Sequence, residues 1–310
     1  MNGPTLIEIA RAVPGGKVSG NQVLAPGPGH SHKDKSLSIR LSAGPDGFVV
    51  YSHAGDDFRD CRDYVADALG LSSDRWRAGS HAPDPEAMAA RRRAQEEARQ
   101  AEEAETAARQ RRALAIWNAS QSPAGTIVEA YLASRRLALP GEISGETIRF
   151  HRSCPWDTGT APAMVTLFRD IITDEPRAIH RTALTHEGKK VGRKMLGPVG
   201  GCAIKLDADQ TVTTALAIGE GIETCLAARQ LGITPTWALG STTGIAAFRV
   251  LDGIERLQVL GENDETGASD RACNDVGARW HRAGRSVEII TPKIGTDLND
   301  VVMEGATTWE

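Results

Sequence analysis

Carboxylate side chains follow two short apolar runs in the C-terminal third of the chain. Glu220 comes directly after residues 215–219, and Glu262 and Asp264 follow residues 257–261. Carboxylates that are crowded together repel one another unless a cation holds them, and hard divalent cations prefer such oxygen ligands. Mg²⁺ typically combines one or two carboxylates with water and substrate phosphate. The chemistry predicted is therefore phosphoryl transfer or phosphodiester hydrolysis.

The elements that position these carboxylates are predicted from apolar runs bounded by glycine. Such runs are typical of buried parallel strands, and the helical stretches at 223–231 and 268–283 alternate with them. Strands that alternate with helices predict βαβ units with right-handed crossovers. Ligands of open parallel sheets gather at the carboxyl ends of the strands, where Glu220, Glu262 and Asp264 are expected. We predict an α/β fold with a Rossmann-like parallel sheet.

A second pair of acidic residues, Asp297 and Asp300, follows the strand predicted at 286–291. Asp297 is expected near the same edge, either as a metal ligand or as a helix N-cap. Each acidic feature taken alone also has a purely structural interpretation, since a Glu after a strand suits a helix N-terminus. Their order and spacing within a βαβ pattern favour the metal site.

The acidic motifs resemble those of the Toprim domain, which combines a lone glutamate with an Asp-x-Asp-x-x-Gly turn. Glu220 is similar to that glutamate, and residues 262–267, Glu-Asn-Asp-Glu-Thr-Gly, are similar to the turn. Asp297 and Asp300 resemble the late Asp-x-x-Asp of primase-like members. The resemblance implies that Glu220, Glu262 and Asp264 are catalytic and, with Asp297, hold Mg²⁺ or Mn²⁺. Glu262 departs from the usual Asp and shifts the carboxylate by one methylene.

A basic segment at 187–197 lies directly upstream of the acidic region and is predicted to be a loop. A polynucleotide needs cations for its backbone as well as a metal for the reacting phosphate. The candidate nucleic-acid or nucleotide ligands are Arg181, Lys189, Lys190, Arg193 and Lys194. The alternative is a solvated hairpin tip. This part of the chain resembles the middle region of phage- and plasmid-type Toprim primases.

The N-terminal region, residues 1–72, resembles a primase zinc ribbon that has lost its cysteines. A helix is expected at 7–12, a loop at 15–32, a hairpin of strands at 36–41 and 47–51, and a helix at 57–71. His30, His32, His53 and Cys61 remain as metal-ligand types, but their spacing matches no known zinc site. We predict that a small apolar core replaces zinc here.

The rest of the chain is divided by composition. Residues 73–118 are predicted to form a linker and a long charged helix, which contacts a core only near Leu114, Ile116 and Trp117. Residues 119–205 are predicted as a basic α+β middle region and 206–310 as the Toprim domain.

Composition limits the cellular context and the kind of nucleic-acid contact. The five cysteines are widely spaced and form no Cys-x-x-Cys, which favours a reducing, cytoplasmic environment. The sequence lacks an apolar run of membrane-spanning length, so we expect no membrane association. With a net charge of −4, any nucleic-acid contact requires a local basic surface.

The function predicted from the resemblance is primase-like nucleotidyl transfer, in which short RNA primers are made on single-stranded DNA from nucleoside triphosphates. Three tyrosines and 310 residues do not suit a topoisomerase with gate domains, and no Walker A motif is present. A separate replicative helicase would be the partner. A metal-dependent nuclease and a non-catalytic DNA-binding accessory module are the alternatives.

Overall fold

The computed structural model describes residues 3–44, 46–71 and 85–305. The chain forms two compact units, residues 1–94 and residues 95–310. The boundary between them lies inside helix α3, Pro85–Asn118. The linker predicted from residue 73 onward lies largely outside the described residues.

Within its described residues, the N-terminal unit contains an antiparallel sheet of four strands, two helices and the first part of α3. The strands follow chain order across the sheet: β1 (Lys17–Ser19), β2 (Gln22–Ala25), β3 (Leu37–Leu41) and β4 (Phe48–Ser52). The helices are α1 (Leu6–Ala12), capped by Thr5, and α2 (Phe58–Ala68), capped by Asp57. Ile9, Val23, Leu37, Ile39 and Val65 are fully buried in one apolar core. The loop predicted at 15–32 was therefore wrong in part, because its glycines flank the short strands β1 and β2.

A polar cluster ties the loop before β3 to the end of β4. His30 Nδ1 lies 2.5 Å from Asp34 Oδ2, and its Nε2 lies 3.1 Å from Asp56 Oδ1. Ser36 donates a hydrogen bond to Asp34, and Ser52 donates one to Asp56. Because both imidazole nitrogens face carboxylate oxygens, the geometry suits a doubly protonated ring. The hydrogen bond with Asp34 raises the pKa of His30 above its usual value.

The C-terminal unit contains one continuous sheet, which has nine strands within the described residues. Its strands are β5 (Ile148–Trp156), β6 (Gly159–Asp170), β7 (Pro176–Leu184), β8 (Lys190–Leu196), β9 (Cys202–Lys205), β10 (Ala215–Gly219), β11 (Thr236–Ala238), β12 (Arg256–Leu260) and β13 (Ser286–Ile290). The order is β13-β12-β10-β11-β9-β6-β7-β8, with β5 paired to β6. The contacts among β10, β11, β12 and β13 are parallel, and the others are antiparallel.

Helices cover both faces of the parallel half of this sheet, which explains its uninterrupted apolar strands. They are α4 (Ile127–Ser134), α5 (Ile222–Gln230), α6 (Thr242–Ala247), α7 (Ala268–Arg282) and α8 (Leu298–Glu304). One core joins residues of α4, α5 and α8, and another joins residues of α6 and α7, where Phe248 stacks on Trp280. The last turns of α3 bury Ala113 and Trp117 against the antiparallel half, close to the predicted contact. The mixed α/β architecture with a parallel sheet confirms the predicted fold class.

The basic segment 187–197 was wrongly predicted to be a loop, because residues 190–196 form β8 at the sheet edge. β8 pairs only with β7 among the described strands. Charged residues are common on edge strands, so its composition concealed the strand. β9 was not predicted either. It pairs with β6 on one side and with β11 on the other, so it joins the antiparallel half of the sheet to the parallel half. The four-part division of the chain stays a prediction.

None of the helices in the described part of the chain is long and apolar enough to cross a membrane.

Candidate active site

Three carboxylates converge at the carboxyl ends of the parallel strands. Gly219, Leu260 and Ile290, the last residues of β10, β12 and β13, lie side by side in register. The chain therefore leaves the sheet at one edge in all three places, where Glu220, Glu262 and Asp297 follow. This is the edge at which ligands of open α/β sheets bind.

Thr224, in the first turn of α5, joins two of these carboxylates. Its buried hydroxyl oxygen lies 3.1 Å from Glu262 Oε1 and 3.4 Å from Asp297 Oδ2. Since one hydroxyl reaches both oxygens, Glu262 and Asp297 lie close to each other. Gly221 precedes the helix, and a side chain there would have to fit against Thr224 and Glu262.

The electrostatics of the cluster favour the binding of a cation. Burial, followed by the negative charge of Glu220, raises the pKa of Glu262 to about 7, and the charge of Asp297 adds to this. Burial also raises the pKa of Asp297. Ionising these carboxyl groups in the folded protein therefore costs free energy, and a bound divalent cation would offset that cost.

Asp264 has a different environment. Its Oδ1 accepts hydrogen bonds from the Thr266 amide and hydroxyl and from the Ala268 amide, and its Oδ2 accepts one from the Ser269 amide at 2.7 Å. These bonds, led by the one from the Thr266 hydroxyl, hold the pKa of Asp264 well below its usual value. Both carboxylate oxygens are thus engaged at the start of α7.

Asp297 combines a structural contact with its position in the cluster. Its Oδ1 caps α8 by accepting hydrogen bonds from the amides of Asn299 and Asp300, while its Oδ2 faces Thr224. Asp300 completes a capping box by accepting a hydrogen bond from the Asp297 amide, and it accepts another from the Thr296 amide. The N-cap alternative for Asp297 is therefore observed, and the second oxygen remains directed at the cluster.

Two cations of β8 reach the acidic edge. Arg193 donates a hydrogen bond to Glu220 Oε1 at 3.0 Å, and Lys190 donates one to Glu223 Oε1 at 2.9 Å. Glu223 is buried in the first turn of α5 and also accepts a 2.5 Å hydrogen bond from the Tyr131 hydroxyl. Although burial alone would raise it, the contacts with Lys190 and Tyr131 hold the pKa of Glu223 below its usual value.

The other predicted cations lie apart from the carboxylates. Arg181 is largely buried and donates to the Pro155 carbonyl at 2.7 Å. Lys194 forms an ion pair with Asp157 and lies 4.9 Å from the centre of the Trp156 ring. Lys189 is exposed in the β7–β8 turn. Only Lys190 and Arg193 of the predicted set contact acidic residues of the Toprim region.

Buried polar atoms lie on the sheet face that carries these contacts. His180 and Thr182 on β7 and Thr166 on β6 are buried, and the His180 Nδ1 and both threonine hydroxyls lack a partner. Burial lowers the pKa of His180 to about 4, so its imidazole is neutral at pH 7. The positive charge beside Glu223 therefore comes from Lys190.

The donor set suits a hard divalent cation that also binds water and phosphate. Glu220 and Glu262 provide carboxylate oxygens, and magnesium sites often contain no more than two. Among the described residues, no three His, Cys, Asp or Glu side chains are grouped to enclose a metal ion. The arrangement fits an open site better than a closed protein cage.

Sequence reasoning missed Thr224, Glu223 and Tyr131. The first two lie one helical turn from Glu220 in the Gly-Glu-Gly-Ile-Glu-Thr segment, and that spacing was the available signal. Tyr131 gave no signal, because it meets Glu223 from 92 positions away in the chain.

The fold and the site together define a class: a Rossmann-like α/β domain with acidic residues at the carboxyl edge of its parallel strands. Residues 215–307 match the Toprim domain family, and this part of the chain is a Toprim domain. Residues 107–206 match a domain of unknown function, DUF7146.

Bacterial primases are among the similar solved structures. The Aquifex aeolicus primase with its zinc-binding and RNA polymerase domains is 12% identical, with a match covering 99% of this chain and 83% of that chain at a TM-score of 0.46. A DNA primase domain from Pseudomonas aeruginosa is 18% identical over 59% of this chain and 68% of that chain, with a TM-score of 0.41. The E. coli primase catalytic core is 14% identical over 65% and 76%, with a TM-score of 0.42. No curated protein matches the sequence.

Proposed function

We propose that this chain is a primase-like nucleotidyltransferase, which synthesises short RNA primers on single-stranded DNA from nucleoside triphosphates. The observation that carries this proposal is the convergence of Glu220, Glu262 and Asp297 at the carboxyl edge of a Toprim sheet, with Arg193 in contact. Carboxylates for a metal and a cation for phosphate are the two components that phosphoryl transfer requires.

Glu220 and Glu262 would hold Mg²⁺ or Mn²⁺. A bound ion would act as a Lewis acid and offset the charge that develops on the leaving pyrophosphate. Thr224 fixes the carboxylate of Glu262, Asp297 adds negative charge behind it, and Asp264 fixes the 262–267 turn through its hydrogen bonds to the start of α7. Lys189 and Arg193 supply positive charge for a template or a triphosphate.

The test is primer synthesis by the purified protein. Single-stranded DNA, labelled ribonucleotides and deoxynucleotides, and Mg²⁺ or Mn²⁺ would be supplied to the wild type and to Glu262→Gln. Glu288→Gln makes the same change on an exposed position of β13 and serves as the control. Metal-dependent oligonucleotides that disappear only in Glu262→Gln are the expected result. Degradation of DNA without added nucleotides would instead identify a nuclease.

A second candidate is a DNA-binding module without catalysis. The observation that favours it is the engagement of both Asp264 oxygens by the start of α7. Salt-sensitive DNA binding that is unaffected by metal and by Glu262→Gln, together with no primer product, would select this candidate. A separate replicative helicase would be the partner of a primase, and co-purification of the two would test that pairing.

A further inference from the structure

Two ion pairs join β8 to the acidic edge, and they differ in their surroundings. Lys190, whose side chain is 36% exposed, pairs with Glu223, which is only 9% exposed and is also bonded to Tyr131. Arg193, whose side chain is 50% exposed, pairs with Glu220, which is 13% exposed. Both cations come from one short strand, while their carboxylates lie on either side of the turn into α5.

Both carboxylates are largely buried, so either would carry an uncompensated charge if it lost its cation. Glu223 is held from two sides, by Lys190 and by the Tyr131 hydroxyl. Arg193 is half exposed and regains water when it leaves Glu220, so this pair can separate once another cation compensates the carboxylate. Lys190 therefore holds β8 beside the site, and Arg193 can exchange Glu220 for another partner.

Arg193 and a divalent cation compete for Glu220. A divalent cation held by this carboxylate would compete for the oxygen that Arg193 contacts and would repel the guanidinium. Arg193 would stay near the site, because Lys190 holds its strand. Its planar fork of donors suits phosphate oxygens, and a triphosphate brings those oxygens to the metal.

We propose that Arg193 is the triphosphate ligand of this site and that Glu220 withholds it until a divalent cation occupies the carboxylate. The inference rests on the proposed function and adds a binding order, in which metal precedes nucleotide. Glu220 thus has two states: one in which it blocks the phosphate ligand, and one in which it binds metal and releases that ligand.

The sharpest test uses inorganic tripolyphosphate in the absence of metal, with EDTA present, measured by calorimetry. The wild type should bind weakly because Arg193 is occupied. Glu220→Gln should release Arg193 and raise the affinity by about tenfold, as expected for a charge-assisted contact. The double variant Glu220→Gln with Arg193→Gln should return to the wild-type affinity.

Glu262→Gln is the matched control, because it removes a negative charge from the same cluster without freeing Arg193. The titration is run at pH about 9, well above the pKa of Glu262 of about 7, so that Glu262→Gln removes a negative charge from the cluster. General electrostatics should give this control a gain of no more than about threefold. The proposal is overturned if both single variants gain equally, if Glu220→Gln gains nothing, or if its gain survives Arg193→Gln.

The outcome is separable from that of the primer assay. Tripolyphosphate binding is measured without metal, DNA or turnover, so an inactive protein can still show the gain in Glu220→Gln. Conversely, the protein could make primers in a metal-dependent reaction while Glu220→Gln shows no gain in tripolyphosphate affinity. That result would support the proposed function and exclude the role of Glu220 as a block on Arg193.

Discussion

At the scale of single residues, Glu262 shows how a site for a cation weakens the protein that carries it. A half-buried carboxyl beside two others is ionised only at a free-energy cost, which is what its pKa of about 7 expresses. Such a group destabilises the folded state once the pH exceeds its unfolded pKa of 4.5, and the penalty is complete above about pH 7.

Glu262→Gln should therefore stabilise the metal-free protein. We expect a gain of about 1–2 kcal/mol in the free energy of unfolding at pH 8, after allowance for solvent screening, and no gain near pH 4.5. Urea denaturation with EDTA measures both values. Added Mg²⁺ should reverse the order, because only the wild type gains stability from binding the ion. Equal pH profiles for the two proteins would contradict this account.

Asp264 is expected to matter for stability. Asp264→Ala removes the acceptor for the amides at the start of α7 and should lower the melting temperature, while Asp264→Asn should lose less because its side-chain oxygen still accepts hydrogen bonds. Glu265→Ala, an exposed neighbour in the same turn, is the control. Thermal unfolding followed by circular dichroism provides the measurement. A melting temperature unchanged in Asp264→Ala would show that these hydrogen bonds contribute nothing to stability.

His30 should make the N-terminal unit sensitive to pH. Its pKa is raised chiefly by Asp34, so its stabilising contribution is complete below its ordinary value of 6.5 and is lost as the pH rises through the folded value. Asp34, whose pKa is lowered to about 2, loses its contribution only as the pH falls below 3.8. The pairing is thus strongest between pH 3.8 and 6.5.

Asp34→Asn should lower the pKa of His30, which an NMR titration of the imidazole would show. The stability advantage of the wild type over this variant should shrink as the pH rises above 6.5 and passes through the raised pKa of His30. A His30 that titrates at the same pH in both proteins would exclude the pairing.

The sequence predicted Glu220, Glu262 and Asp297 as site residues because each follows a strand whose end is visible in the local pattern of apolar residues. The Arg193–Glu220 contact could not be predicted, since it depends on the register between β7 and β8 and on the antiparallel half meeting the parallel half. The role of Thr224 could not be predicted for a similar reason. Its hydroxyl contacts two carboxylates only because the fold brings Asp297, the N-cap of α8, beside it.

At the scale of elements, β8 is positioned by its contact with α5. Lys190→Met should destabilise the protein by about 2–3 kcal/mol, because it leaves Glu223 buried without its cation. The double variant Lys190→Met with Glu223→Met should cost less than the sum of the single variants. A double-mutant cycle of unfolding free energies measures the coupling. Additive values would show that the pair does not hold β8.

Elements with strong local patterns were predicted within a few residues, and weak ones were missed. The long α3 and the parallel strands have composition and burial patterns that point to one structure. β8 carries charges throughout, and β1 and β2 are three and four residues long beside glycines. Their pairing comes from neighbours distant in sequence, which no local pattern reports.

At the scale of the whole molecule, the candidate site lies entirely within the unit of residues 95–310. A fragment with these residues contains both cores that surround the parallel sheet, so it should fold and bind Mn²⁺ with the affinity of the full chain. Calorimetric titration of both proteins measures this, with Glu262→Gln in the fragment as the control that loses binding. An affinity weaker by about tenfold would show that residues 1–94 contribute to the site.

The position of β8 at the end of the nine-stranded sheet has a consequence for solubility. Within the described residues, its outer edge has no paired strand, and an unprotected edge invites pairing with another copy. Lys190, Arg193 and Lys194 place repulsive charge along that edge, and Gly192 between them forms strands poorly. Substitutions that neutralise these cations should therefore promote aggregation at high protein concentration, and the strand that carries Arg193, the proposed phosphate ligand, is also expected to keep the protein in solution.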